Sequence, residues 1–376
     1  MKLIKKQFSE KRIMFFLFFF VSTYFFGQRY SYKEINNVPD FVQKFKEKKE
    51  FKKNLRLGEF VKAVNYLPKN YVKNGTIDYT HNLQKAIDEN LNVIMPNFPI
   101  LINDFGLDIR DNQNILFKKK SRLILKASSK KKYEVIRIHN RKDVKIFSPK
   151  IIGDRDRHIG GNGEWGMGIS IRGSHNVKII NANISKCWGD GVYIGTLARK
   201  GSSNILLSYG LIDKNRRNGI SVINVKGLII HNIIVSNTKG TNPQAGIDLE
   251  PNNNNEELKD ILIDNVYTFN NFNQGIFFCL NQLNGNENHV NIRVKNHMDN
   301  SSKVALGLMN LIPEKYSLLP VVTGSLEIEN IRGINNTTDL RVFKNSNFEK
   351  IKVIVKKSVK EGEFKIKGTT KNIIIK

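Results

Sequence analysis

Apolar and polar residues alternate along a series of short segments in the middle of the chain, and each segment follows a glycine. Alternation with a period of two places successive side chains on opposite faces of a β-strand. The pattern therefore predicts strands whose inner faces carry apolar side chains, such as Val192 and Ile194. The glycines are Gly168, Gly191, Gly219, Gly246 and Gly275.

These glycines recur at intervals of 23, 28, 27 and 29 residues. A repeat of this length holds two or three short strands, and one such unit cannot bury its own apolar face. Helical repeats lack the period-two alternation, and propeller blades need about 40 residues each. We therefore predict an all-β fold, a right-handed parallel β-helix in which stacked coils share one continuous core.

A motif that precedes the repeats supports this fold. Residues 74–88 read NGTIDYTHNLQKAID, and residues 93–96 read VIMP. The two segments resemble the N-terminal motif and the following strand of pectate-lyase-superfamily proteins related to family 28 glycoside hydrolases. Asn74, Tyr79 and Asn82 depart from the usual residues of that motif. The resemblance extends over roughly residues 64–300.

The resemblance implies a fold more strongly than an activity. It implies an amphipathic helix from Thr80 to Glu89 that caps the β-helix, with Leu83, Ala86 and Ile87 facing inward. The superfamily contains hydrolases, lyases, epimerases and phage tailspike proteins. The G-H-G motif of its polygalacturonases does not occur in this chain, which argues against their particular mechanism.

The chain divides into four regions. Residues 1–27 combine a basic start with an uncharged, Phe-rich run, which predicts a signal peptide, or an anchor if it is not cleaved. Residues 28–62 are predicted to be a basic linker, and residues 63–300 the β-helix with its cap. Residues 301–376 are predicted to form degenerate coils or a β-rich C-terminal cap. This organisation predicts a secreted, periplasmic or cell-surface protein.

Composition limits the possible partners. The formal net charge of +27 fits an anionic polysaccharide, but a proteome rich in Lys, Asn and Ile would also produce it. Two cysteines, Cys187 and Cys279, exclude a disulfide scaffold and a cysteine-based zinc module. No basic-aromatic nucleic-acid module occurs, so we expect no nucleic-acid partner. A membrane partner is expected only if the N-terminal segment remains uncleaved.

Stacked coils would align outward-facing residues into rows. The residues two positions after each glycine form one row, and Glu250 lies on the same face as its member Asp248. Turns that precede the glycines contribute Asp190 and the pair Arg216 and Arg217, with Glu164 one coil earlier. The row consists of Ser170, Tyr193, Ser221, Asp248 and Phe277.

These residues suggest carbohydrate chemistry. Asp190, Asp248 and Glu250 are the predicted catalytic residues, because glycoside hydrolysis needs paired carboxyl groups. The predicted substrate-binding residues offer flat rings for sugars or positive charge for an anionic group. They are Trp165, Trp188, Tyr193, Arg216, Arg217 and His158.

The leading hypothesis is a secreted enzyme that cleaves an extracellular or capsular polysaccharide, most simply a glycoside hydrolase. One alternative is a polysaccharide lyase or epimerase, in which an arginine neutralises a uronate and His158 or Tyr193 acts as the base. Another is a non-catalytic polysaccharide-binding surface protein. No cofactor or metal is assigned, although Asp190, Asp248 and Glu250 leave calcium open.

Overall fold

The computed structural model describes residues 30–46, 58–316, 318–358 and 363–376. The predicted signal peptide lies outside the described residues. Within the described part of the chain, no helix is long and apolar enough to cross a membrane.

The described strands pair in parallel into two sheets, one of 15 strands and one of 10. From β10 onward, the even-numbered strands belong to the ten-stranded sheet and the odd-numbered strands to the larger one. The first coils contain β1 (Val61–Lys62), β2 (Asn92–Ile94), β3 (Pro99–Ile102), β4 (Leu107–Asp108), β5 (Asn114–Leu116), β6 (Arg122–Leu125), β7 (Lys132–His139), β8 (Lys142–Phe147) and β9 (Lys150–Ile152). The middle coils contain β10 (Trp165–Arg172), β11 (His175–Ser185), β12 (Val192–Gly195), β13 (Ser202–Asp213), β14 (Ile220–Val222), β15 (Val225–Ser236), β16 (Ile247–Leu249), β17 (Leu258–Phe269) and β18 (Gln274–Cys279).

The C-terminal coils continue the same winding past residue 300. Their strands are β19 (His289–Asn300), β20 (Val304–Met309), β21 (Thr323–Ile334), β22 (Thr338–Val342), β23 (Ile351–Lys357), β24 (Ile366–Lys367) and β25 (Ile373–Ile375). The pairing of β21 with β23 shifts register between Glu329 and Ile331. Short 3₁₀ helices lie at Ala63–Tyr66, Asn281–Leu283 and Glu314–Tyr316.

The coils stack residue over residue. In the ten-stranded sheet Tyr193 pairs with Ser221, Ser221 with Asp248, and Asp248 with Phe277. The alternate residues of these strands, such as Ile247, point inward and are fully buried. The all-β parallel β-helix predicted from the glycine spacing is therefore confirmed. The five residues of the predicted row do stack in register, but all five are buried and not open to solvent as predicted.

The predicted capping helix is present as α1 (Thr80–Glu89). Its inward residues Leu83, Ala86 and Ile87 are completely buried and belong to the continuous core. Asp78 accepts hydrogen bonds from the Thr80 backbone N–H at 2.9 Å and from the Thr80 hydroxyl at 2.5 Å. The Asp and Thr of the sequence motif therefore fix the start of the helix, which covers the end of the core.

The segment 32–46, within the predicted linker, lies against the outer face of the larger sheet. The Lys33 N–H donates to Asn237 Oδ1 at 3.0 Å, and the Gln43 N–H donates to Asn232 Oδ1 at 3.1 Å. Phe41 packs against apolar side chains of β17 and β19. This segment therefore covers apolar groups that the strand pattern leaves on the outside.

Asparagines occupy a left-handed corner of the larger sheet in successive coils. Asn265, Asn296 and Asn330 have φ angles of 54°, 50° and 54°. The Asn296 amide donates to Asn265 Oδ1 at 2.9 Å, and the Asn330 amide donates to Asn296 Oδ1 at 2.7 Å. Asn tolerates left-handed backbone better than other non-glycine residues, and its side chain here also links one coil to the next.

We predict that Asn265→Ala lowers the free energy of unfolding by about 2 kcal/mol. The variant loses the hydrogen bond from Asn296, and alanine is less stable than asparagine in left-handed backbone. Asn265→Gly, which relieves the backbone strain, is the matched control and should lose less. Urea unfolding of both variants measures the difference. Equal losses in the two variants would show that the backbone conformation is not the cause.

Candidate active site

The guanidinium of Arg217 lies at the centre of the predicted cluster. Arg217 belongs to the turn before β14, and its side chain is 13% exposed. Its Nη1 lies 3.2 Å from Asp190 Oδ2, its Nη2 lies 3.6 Å from Glu250 Oε2, and its Nε lies 3.8 Å from Glu164 Oε2. Residues from several coils thus converge on one cation.

Asp190 lies beneath this guanidinium and is completely buried. It accepts hydrogen bonds from Arg217 Nη1 and, at 3.1 Å, from the backbone N–H of Asn218. Burial raises the pKa of Asp190, and the positive charge of Arg217 offsets part of this effect. The ion pair fixes both the position and the orientation of the arginine.

Asp248 is the second completely buried carboxyl group. Its Oδ2 accepts a hydrogen bond from the Asn218 side-chain amide at 2.8 Å. Its Oδ1 has no hydrogen-bond donor among the described residues, and the neighbouring carboxyl group is that of Glu250. Burial, followed by the negative charge of Glu250, raises the pKa of Asp248 well above its usual range. Asp248 is therefore the group in this cluster best placed to hold a proton, which it can share with Glu250.

The solvent-accessible carboxyl groups of the cluster are Glu164 and Glu250, with side chains 36% and 31% exposed. Both contact the guanidinium of Arg217, so their Oε2 atoms lie within roughly 10 Å of each other. The two catalytic carboxyl groups of glycosidases are about 5–9.5 Å apart, which lies within this upper bound. Any substrate would meet these glutamates rather than the buried aspartates.

The predicted aromatic residues differ in accessibility. Trp165 is 46% exposed, whereas Trp188 and Tyr193 are 8% and 7% exposed. The guanidinium of Arg172 lies 4.0 Å from the centre of the Tyr193 ring and covers it. Of the three aromatic residues predicted to bind sugar, Trp165 alone presents an open ring.

Trp188 is enclosed between two other predicted site residues. The ring of His158 stacks on it with 4.0 Å between centroids, and the guanidinium of Arg216 lies 3.8 Å from the ring centre. His158 Nδ1 is 2.7 Å from Asp154 Oδ2, and Asp154 is also hydrogen-bonded to the hydroxyl of Tyr133. The His158 side chain is 1% exposed. These contacts place His158 in the packing beneath Arg216 and away from the open surface.

Two residues of the cluster are not among the predicted catalytic or binding residues. Glu164, which the alignment of the coils placed one coil before Asp190 but gave no role, approaches Arg217 from the position immediately before β10. Asn218 bonds Asp190 through its backbone and both Asp248 and Ser221 through its side chain. In the sequence, its position immediately before Gly219, one coil after Asp190, could have indicated that Asn218 lies next to Asp190.

Within the described residues, no group of three or more His, Cys, Asp or Glu side chains is placed to hold a metal ion.

Residues 128–258 match the family described as "Right handed beta helix region". The chain is a right-handed parallel β-helix. Its structure is similar to that of endo-xylogalacturonan hydrolase from Aspergillus tubingensis, with a TM-score of 0.57 at 12% identity over 85% of this chain and 93% of that one. It is also similar to the surface adhesin PfbA of Streptococcus pneumoniae, with a TM-score of 0.50 at 14% identity over 82% of this chain and 81% of that one. The right-handed parallel β-helix that the resemblance implied is thus confirmed as the fold.

Two curated proteins of Bacillus subtilis (strain 168) are similar in sequence. The uncharacterized protein YclG is 25% identical over 223 residues, which is 55% of this chain and 38% of YclG. The SPbeta prophage-derived uncharacterized protein YorA is 29% identical over 162 residues, which is 39% of this chain and 28% of YorA. The matched regions therefore cover well under half of either relative.

We predict that Asp248→Asn stabilises the fold increasingly as the pH rises. A buried carboxyl whose pKa is raised in the folded state favours folding below its ordinary pKa, and this contribution is lost as the pH rises through the folded-state pKa. The Asn side chain keeps an acceptor for Asn218 and places a donor beside Glu250.

Thermal unfolding of Asp248→Asn and the parent chain across pH 4 to 9 tests this expectation. The difference in Tm should be small at the acidic end and should grow to several degrees at the basic end. Asp260→Asn, at an exposed position in β17, is the control and should give a constant difference. A constant difference for Asp248→Asn as well would show that the carboxyl is not protonated in the native state.

Proposed function

We propose that this protein is an extracellular glycoside hydrolase that cleaves an acidic polysaccharide at the carboxyl cluster around Arg217. The observation that carries the proposal is the pairing of the buried Asp248, whose pKa is raised by burial and by Glu250, with the accessible Glu250, opposite a second accessible carboxyl, Glu164. The predicted signal segment supports a location outside the cell. The fold shared with an endo-xylogalacturonan hydrolase is compatible with this activity.

In the proposed mechanism the proton held by the Asp248–Glu250 pair reaches substrate through Glu250. Glu250 donates it to the glycosidic oxygen as the bond to the anomeric carbon breaks. Glu164, which lies 3.8 Å from Arg217 Nε, takes a proton from the water that attacks that carbon. One water is consumed: its hydroxyl group is added to the anomeric carbon, and the glycosidic oxygen leaves as a hydroxyl group on the other product.

Asp190 and Asp248 act in this mechanism as positioning residues, because solvent does not reach either of them. Asp190 holds the guanidinium that both glutamates contact, and Asp248 supplies the proton-sharing partner of Glu250. Asp190 and Asp248, which the sequence predicted to be catalytic, therefore act in this mechanism through Arg217 and Glu250. Removal of Asp190 should also cost stability, since Arg217 would lose its closest carboxylate.

An anionic substrate is supported by the surroundings of the cluster and by the charge of the whole chain. Trp165 offers an exposed ring for the apolar face of a sugar. Arg216 lies next to the cluster, although stacking on Trp188 holds its side chain in place. A net charge of +27 attracts polyanions over long distances at low salt.

We predict that Glu250→Gln and Glu164→Gln each lower the rate of hydrolysis by about 100-fold or more, since each removes a general acid or base. The matched control is Glu257→Gln, whose side chain is equally exposed at 36% and is ion-paired with Lys259 at 3.1 Å. The assay follows reducing ends and ultraviolet absorbance together on sulfated, uronate-containing and neutral polysaccharides.

Reducing ends without absorbance, lost in both glutamate variants and kept in Glu257→Gln, would support the proposal. Absorbance that rises together with the reducing ends would indicate a lyase and would contradict it. Unchanged hydrolysis in Glu250→Gln would remove the proposed acid.

A second candidate function is polysaccharide binding without cleavage. The complete burial of Asp190 and Asp248 favours it, because both carboxyls can be explained as supports for a structural arginine. The fold is also that of a surface adhesin. In that case the chain would bind a polysaccharide, Trp165→Ala would weaken binding, and no product would form.

A further inference from the structure

A cavity of about 550 Å³ lies at the N-terminal end of the β-helix. It is formed at the corner where β2 turns into β3 and β5 turns into β6. About three coil spacings of roughly 4.8 Å separate β5 from β13, which precedes the turn of Arg217. The cavity is therefore distinct from the candidate active site.

The charged side chains that line this cavity are all positive. None of these cations forms an ion pair within the described part of the chain. By contrast, Lys130 is paired with Asp104 at 2.7 Å. Unpaired cations that face one cavity create a positive potential, which an anion would relieve. They are Lys62, Lys73, Lys118, Lys120 and Arg122.

Apart from Asn97, the remainder of the lining is apolar and partly aromatic. Tyr71 and Phe98 stack with 5.5 Å between ring centroids and an interplanar angle of 8°. Lys73 Nζ lies 5.5 Å from the centre of the Tyr71 ring. Met95 and Pro96 are buried and supply aliphatic surface. Sugar rings bind to flat aromatic and aliphatic surfaces through their C–H faces, while their acidic substituents bind cations.

The size of the cavity indicates more than a single small anion. Cavities of about 300–1,000 Å³ accommodate drug-sized organic ligands, whereas inorganic sulfate or phosphate would fill only a small part of this one. A short oligosaccharide that carries sulfate or carboxylate groups satisfies both parts of the lining. The cations take its charges, and the apolar wall takes its ring faces.

We infer that this cavity is a binding site for an anionic oligosaccharide segment, separate from the carboxyl cluster. It would hold a polysaccharide by one segment while another segment lies on the ten-stranded sheet. Two linked binding events raise the apparent affinity for a long chain well above that for a short one. The inference concerns binding alone and does not depend on hydrolysis.

The test is calorimetric titration of the full chain carrying Glu250→Gln with a sulfated galactan tetrasaccharide. The triple variant Lys118→Ser, Lys120→Ser, Arg122→Ser should bind at least tenfold more weakly and show a smaller dependence on salt. The matched control removes the same charge from exposed C-terminal positions through Lys350→Ser, Lys352→Ser and Lys371→Ser, and should bind normally. Phe98→Ala should weaken binding while leaving the salt dependence unchanged.

Several outcomes would overturn the inference. Normal binding by the triple variant would remove the cavity as a site, and equal losses in both triple variants would indicate unspecific attraction. If sodium sulfate at the same concentration of charge displaced the tetrasaccharide as well as free tetrasaccharide does, the cavity would bind anions without recognising a sugar. Tighter binding of single-stranded oligothymidylate would assign it to a nucleic acid. Since the titration requires no cleavage, failure of the proposed hydrolysis would leave this result intact.

Discussion

Stacking of the middle coils in register is the constraint on which the rest of this structure depends. Parallel pairing places Ser221 beside Tyr193 and Asp248 beside Ser221, so outward residues form rows along the ten-stranded sheet. The turns that precede the strands are stacked in the same way, and this brings Arg217 next to Asp190. Residues separated by about one repeat in sequence therefore become neighbours, although each coil contributes only one or two of them.

The chemistry of the cluster follows from an imbalance of charge. One guanidinium contacts Asp190, Glu164 and Glu250, while Asp248 is buried nearby without a cation of its own. Several like charges in a region of low dielectric cannot all remain ionised. Asp190 and Asp248 are equally buried, but Asp190 is paired with Arg217, whereas Asp248 lies beside Glu250, whose negative charge raises the pKa of Asp248 further. The same burial that makes Asp248 unfavourable as an anion therefore makes the accessible Glu250 a plausible route for a proton.

Local patterns in the sequence were sufficient for the repeating part of the structure. The glycine spacing and the alternation predicted the coils, and the resemblance of residues 74–88 to the superfamily's N-terminal motif implied α1. Accessibility was not predictable in the same way. Whether Trp188 and Tyr193 are open depends on how His158, Arg216 and Arg172 fold over them, and these are long-range contacts. Glu164 was placed near the cluster but given no role for the same reason, since its contact with Arg217 is also long-range.

The measurement that tests the central claim most directly is a titration of the aspartate side-chain carboxyl groups by ¹³C NMR, with Asp248 assigned through Asp248→Asn. The account predicts that Asp248 stays protonated far above the pH at which the exposed aspartates ionise, and that Glu250→Gln moves its titration toward lower pH because a neighbouring negative charge is removed. If Asp248 titrates together with the exposed aspartates and Glu250→Gln leaves it unchanged, the cluster holds no proton and the proposed acid is lost.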